Sequence, residues 1–341
     1  MTDNMDAGDA WRMPAEWEPH ERCLMAWPTR VDLWGSYFEL AEAEFAATAD
    51  AISAFEPVTM VAAPGRGRAV TAACPASVEV IELPIDDSWL RDSGPIIVAN
   101  ATGDRRGIDF RFNSWGERFS PWNNDAAMAA ELLNALGVPR HASSMVLEGG
   151  SITVDGEGTL ITTEQCLLNP NRNPTMTRDD IEHELKRTLG IRQIIWLKHG
   201  HFEDAHTDGH VDGVCTYVRS GVVIAQTCDD PTNPNFALMA ENMDILRTAR
   251  DANGRALQII ELPHFPYYQL DGLHQMTSYP NFYIANDGVI VPVAGHPLDH
   301  AALAVVGSAF PDREVIGVPS RIIAYGGGGT HCITQQVPAR S

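Results

Sequence analysis

The chain has 341 residues, 44% hydrophobic and 20% charged, enough for one large globular domain or two ordinary ones with a full core. Asp+Glu 45 against Lys+Arg 24 leaves a net charge of −21, which argues against nucleic-acid and anionic-membrane partners and favours cationic small molecules. No apolar run is long enough for a bilayer, the acidic start from Met1 to Arg12 lacks a signal pattern, and six scattered cysteines without a C-x-x-C pair read as reduced cytoplasmic thiols.

Residues 1–12 read as a mobile tail. With no linker or low-complexity tract beyond it, 13–341 reads as a single domain. Cys23–Trp27 predicts a strand, Tyr37–Phe55 a helix and Pro57–Ala63 a second strand. Four strand–turn–strand segments follow: Pro95–Phe112, Ser151–Thr163, Val214–Thr227 and Asn281–Val293. Their turns carry hairpin residues such as Thr102-Gly103-Asp104 and Asn286-Asp287-Gly288. After each comes a helical pattern, at Asn124–Leu136, Thr177–Leu189, Asn235–Asp251 and Leu298–Phe310, with apolar residues three and four apart. A β-type run closes each unit: Val146-Leu147, Ile191–Leu197, Ala256–Leu262 and Val315–Val318.

The repeated unit is therefore hairpin, helix, strand. A fifth copy assembles from the chain ends if His331–Val337 pairs with Cys23–Trp27. Unit starts lie roughly 50–67 residues apart, a period of stacked or radial modules. The split unit brings the termini together and favours a closed five-module α/β ring over an α+β fold with coincidental spacing.

Special polar residues stand at one place in each unit, just before the hairpin. They are Asp92, Glu148, His210 with Asp212, and Cys332, which follows four glycines, Gly326–Gly329. Singly, each has an ordinary reading: an ion pair, a turn cap, a structural histidine or a buried thiol. In a radial ring, equivalent positions converge on the axis, so the set predicts one central pocket. Two carboxylates can grip a planar guanidinium by forked hydrogen bonds. A cysteine supplies the nucleophile and a histidine the acid and base. Glu148 can orient the imidazole, and Trp89 can offer a flat face to a cation.

Several motifs resemble the agmatine deiminases. They are Met13-Pro14-Ala15-Glu16-Trp17-Glu18-Pro19-His20, Trp89-Leu90-Arg91-Asp92-Ser93-Gly94-Pro95, Leu147-Glu148-Gly149-Gly150-Ser151, Leu167-Leu168-Asn169-Pro170-Asn171-Arg172-Asn173-Pro174, Thr207-Asp208-Gly209-His210-Val211-Asp212 and His331-Cys332-Ile333-Thr334-Gln335-Gln336. The resemblance runs from about Met13 to Pro338. It implies a pentein, a pseudo-fivefold α/β propeller of five ββαβ modules, and a deiminase catalytic domain over 13–341. It implies Cys332 as nucleophile, His210 as acid and base, Asp92 and Asp212 on the guanidinium, Glu148 beside His210, and Trp89 in the pocket wall. The expected reaction is agmatine to N-carbamoylputrescine and ammonia, without a metal or organic cofactor. Homo-oligomerisation is left open.

The chain departs from the family pattern at Ala205-His206, where an Asp-Glu pair is usual, and at Gly329-Thr330, where Asn-Ile is usual. The first change concerns the substrate tail, so arginine or a guanidino acid is the alternative substrate. Asp271 is the candidate to hold a distal ammonium. A metallohydrolase built on His201, His206, Asp208, His210 and Asp212 is a second class. It leaves the glycine-rich cysteine loop unexplained. A polyamine- or guanidine-binding protein, the third class, would not need Cys332.

Overall fold

The structure, a computed structural model, describes residues 11–264 and 267–340. Five small sheets share one pattern: an antiparallel pair followed by a parallel third strand. Ile96–Ala99 and Arg105–Arg111 pair antiparallel, and Arg140–Val146 lies parallel to the second. The same arrangement recurs over 152–197, 215–262 and 283–319. Each parallel step is a crossover through a helix: Asn123–Leu136, Arg178–Leu189, Asn235–Thr248 and Asp299–Ala309.

The split module is present. His20–Ala26 runs antiparallel to Thr334–Pro338 and parallel to Val58–Ala62, with the helix Phe38–Ser53 between. The fold expected from the sequence is therefore observed, five ββαβ modules in a pseudo-fivefold α/β propeller. Glu79–Glu82 adds a fourth strand to the split module.

No module buries its apolar face alone, as expected of repeat architectures. One cluster joins Ile96 and Phe110 to Leu160 and Leu185, and another joins Ile161 and Leu197 to Val223 and Met243. A third packs Met25, Phe45 and Met60 of the split module on Tyr283 and Ile290. That last seam also carries a buried polar knot. Glu56 accepts from Tyr283 Oη at 2.5 Å and from Asn286 N at 2.9 Å, and lies 3.2 Å from His20 Nδ1. The knot ties the split module to the module over 283–319.

The expected tail is corrected at its C-terminal edge. Arg12 forms a two-way backbone pair with Ala99, and Arg106 stacks over Trp11 at 3.7 Å. Residues 1–10 lie outside those described. All six cysteines are free thiols, as read from their spacing. No helix among the described residues is long and apolar enough to cross a membrane.

Candidate active site

Each module delivers one stretch of chain to the same place, the turn leading into its hairpin. Asp92 comes from the one-turn helix Leu90–Ser93. Glu148 precedes the 3-10 turn Gly149–Ser151, and His210 precedes Val211–Gly213, which contains Asp212. Cys332 stands just before Thr334–Pro338. The remaining module contributes Asn281, two residues before Tyr283–Ile284.

These residues form one buried polar group. Cys332 Sγ lies 3.5 Å from Asp212 Oδ2 and 3.2 Å from Asn281 Nδ2. His210 sits between carboxylates, with Nδ1 3.8 Å from Asp92 and Nε2 3.6 Å from Glu148. Glu148 has no exposed surface, and its other oxygen accepts from Arg172 Nε at 2.6 Å. Asp92 accepts from the Trp115 indole at 2.9 Å and from Gly150 N at 3.0 Å. A left-handed backbone at Trp115, φ 53° and ψ 41°, places that indole.

Two glycines keep the centre open. A Cβ on Gly150 would lie 2.7 Å from His210 Nδ1 and 2.9 Å from both Asp92 Oδ1 and Asp212 Oδ2. A side chain on Gly329 would strike the amide of Asn281. In this chain Gly329 leaves room for Asn281 beside Cys332.

Burial opposes charge throughout, and the neighbours decide the outcome. Burial disfavours the His210 imidazolium, but Asp92, Cys166 and Glu148 outweigh it and hold its pKa well above the ordinary value. Burial would raise Asp212, yet the hydrogen bond and charge of His331 bring it below the usual aspartate range. Asp92 is raised by burial, with Asp212 and Glu148 adding to the effect. Burial and the two facing aspartates also push the Cys332 thiol well above its usual value.

Cys332 lines two adjoining cavities. One is walled by Trp89, Trp115 and Phe119 and holds Asp92. The other holds His210, Asp212 and Asn281. His206 lines both and meets the Phe119 ring edge-on at 5.5 Å.

Asp271 does not join this group. It occupies the tip of a hairpin between Tyr268–Leu270 and Leu273–Gln275, accepts from Tyr37 Oη at 2.8 Å, and lines neither cavity. The five-residue His/Asp cluster does not converge either. Asp208 is engaged by Arg172, Arg118 and Asn171, Asp212 by His331, and His201 by the carbonyl of Gly213. Among the described residues, the three donor atoms that do approach within 4.8 Å belong to Glu148, Cys166 and His210.

The protein-family model for Porphyromonas-type peptidyl-arginine deiminases matches residues 12–338. An agmatine deiminase of Stutzerimonas stutzeri (strain A1501) is 44% identical, over 97% of this chain and 96% of its own. One of Pseudomonas aeruginosa (strain LESB58) is 43% identical with the same coverage. The solved structure of the Enterococcus faecalis agmatine deiminase superposes with a TM-score of 0.94 at 35% identity, covering 97% of each chain. By matched sequence over nearly its whole length, and by a fold that superposes over 97% of each chain, the chain belongs to the agmatine deiminase family of guanidine-modifying enzymes.

Proposed function

We propose that this chain is a hydrolase that converts agmatine and water to N-carbamoylputrescine and ammonia through a covalent bond to Cys332. The observation that carries this reading is the buried group itself: one thiol, two facing aspartates and one imidazole held between carboxylates. Asp92 and Asp212 take the two faces of the guanidinium fork. The substrate cation cancels the negative field that holds the thiol proton, so as substrate binds the thiol releases that proton to solvent and the thiolate forms. Sulfur adds to the guanidinium carbon. The His210 imidazolium gives its proton to one amino group, the C–N bond breaks and ammonia leaves. An S-alkylthiouronium remains on Cys332. Neutral His210 then takes a proton from water as the water oxygen adds to the same carbon. Collapse breaks the C–S bond, the added hydroxyl loses its proton to solvent, and the thiolate and the ureido product are returned. Glu148, fixed by Arg172, orients His210 throughout.

The direct test is ammonia release from agmatine, arginine, a peptidyl arginine and 4-guanidinobutyrate. Agmatine is expected to give the highest kcat/KM, and no release from any of the four would overturn the deiminase reading. His206 stands at the cavity junction where the family usually carries an acid, so it is the position to vary for the tail. His206→Glu is expected to raise the preference for agmatine over 4-guanidinobutyrate about tenfold, the effect of about 1.4 kcal/mol. An unchanged ratio would show that the tail is not read there.

Prolonged chelation is expected to leave ammonia release unchanged, since every step above is carried by side chains. Loss of activity with recovery on adding a divalent ion would reassign Glu148, Cys166 and His210 from proton transfer to ion binding.

A further inference from the structure

One well-connected buried group outside the reacting set is His331, beside the nucleophile. Its Nδ1 is 2.9 Å from Asp212 Oδ2, and its Nε2 is 3.0 and 3.1 Å from the two oxygens of Glu16. An ionised carboxylate only accepts hydrogen bonds. A neutral imidazole donates from one nitrogen and would set its other lone pair against a carboxylate. Only the imidazolium satisfies both partners. Arg91 extends the line: its Nη1 meets Glu16 at 3.4 Å and Gln336 at 2.8 Å, while its Nε donates to the His331 carbonyl at 3.3 Å. All four ionic groups are buried.

We propose that Arg91, Glu16 and His331 form a buried positioning chain that keeps Asp212 ionised and aimed into the cavity. The inference rests on the reading of Asp212 as one half of the guanidinium clamp. Charges alternate along it, from Arg91 cation to Glu16 anion, His331 cation and Asp212 anion, and it ends 3.5 Å from Cys332 Sγ. It explains the motif at Met13–Trp17, which sends Glu16 into the centre of the ring but supplies none of the reacting groups. It also answers a physical problem. Asp212 faces a second buried carboxylate, Asp92, and without compensation one of the two would stay protonated. A protonated Asp212 keeps only part of its acceptor capacity for the guanidinium fork.

The groups facing this chain come from several elements. Asp212 is met by His331, by His210 from its own turn, by Arg91 and Asp92 from the helix Leu90–Ser93, and by Cys332. Glu16 is met by His331, Arg91 and His20. Burial acts to raise Glu16, but His331 and Arg91 overcome it and bring its pKa to about 2. Asp212 is also depressed, so its ionised form is present at neutral pH and is lost only as pH falls. Removing His331 or its counter-charge raises Asp212 and moves that loss to higher pH.

The test uses the full-length enzyme, with agmatine as substrate, and the variants His331→Gln and Glu16→Gln. The acidic limb of the kcat/KM profile is expected to move up by at least about one unit in both, with KM rising more than kcat falls. The deficit should be larger at pH 6 than at pH 9. A uniform loss at all pH values would assign the chain a structural role only and overturn the proposal. A second readout needs no variant that folds poorly. In ¹⁵N-histidine-labelled wild-type enzyme, the ring nitrogens of His331 are expected to keep imidazolium shifts up to pH 8, and neutral-tautomer shifts there would overturn the proposal. Failure of wild type to release ammonia from any guanidino substrate would instead overturn the deiminase reading, and the ¹⁵N result would still decide the charge of His331.

Discussion

Cys332→Ser is expected to abolish ammonia release, by more than about a thousandfold in kcat, while leaving the fold intact. The change replaces sulfur with a smaller oxygen at the same place and removes no packing atom of consequence. Asn281 can still donate to the hydroxyl, so no buried group is stranded. What is lost is the anion. A serine hydroxyl holds its proton far above neutral pH, and His210 cannot remove it because Asp92, Cys166 and Glu148 already hold the imidazole in its protonated form against the cost of burial. The check is steady-state ammonia release beside thermal unfolding of the same sample. An unfolded variant would leave the role of the thiol to the trapping experiment below.

Asp92→Asn and Asp212→Asn are each expected to lower kcat/KM at least about a hundredfold. Either amide keeps the shape of the side chain but turns one acceptor into a donor aimed at a cation. Removing one partner of a buried, charge-assisted pair costs about 2–5 kcal/mol, of which the lower end already gives that factor. The two variants should differ in one respect. Asp92 accepts from the Trp115 indole on Oδ2 and from Gly150 N on Oδ1, so an amide can serve only one of those donors and turns its NH2 toward the other. Asp212 is tied to His331, so its loss also leaves a buried imidazolium with one partner. A near-wild-type kcat/KM for either variant would remove that aspartate from the clamp.

Much of this molecule was legible in the chain because its modules repeat a chemical grammar. Hairpin turns, apolar spacing in the helices and closing β-runs recur at a similar interval, and the split module followed from where the termini had to meet. The elements that escaped are those without an apolar signal. Arg140–Val146 was visible only at its last residues because Arg140, His141 and Ser144 leave most of the strand polar and partly exposed. Glu79–Glu82 is four residues long and exposed at both ends. The hairpin around Asp271 is short and solvent-facing, so its turn residue looked as available for substrate as for Tyr37.

In the site, the residues chosen by the positional rule, Asp92, Glu148, His210, Asp212 and Cys332, lie close together, and the rule passed over others beside them. Asn281 stands at the same place before its hairpin as Asp92, Glu148 and His210, and the rule would have named it had an amide been admitted beside acids and bases. Trp115 and Arg172 act by hydrogen-bonding Asp92 and Glu148, relations that no local spacing encodes. His331 and Glu16 lie 315 residues apart and meet only because the ring closes.

The central claim is a covalent carbon–sulfur intermediate on Cys332, and the most direct measurement is mass spectrometry of enzyme quenched by acid during turnover of agmatine. The account predicts a fraction of the protein heavier by the mass of the substrate less ammonia, with the addition mapped by proteolysis to the peptide bearing Cys332 and absent from Cys332→Ser. Full turnover with no adduct under any quench time, or an adduct on another of the six thiols, would contradict it.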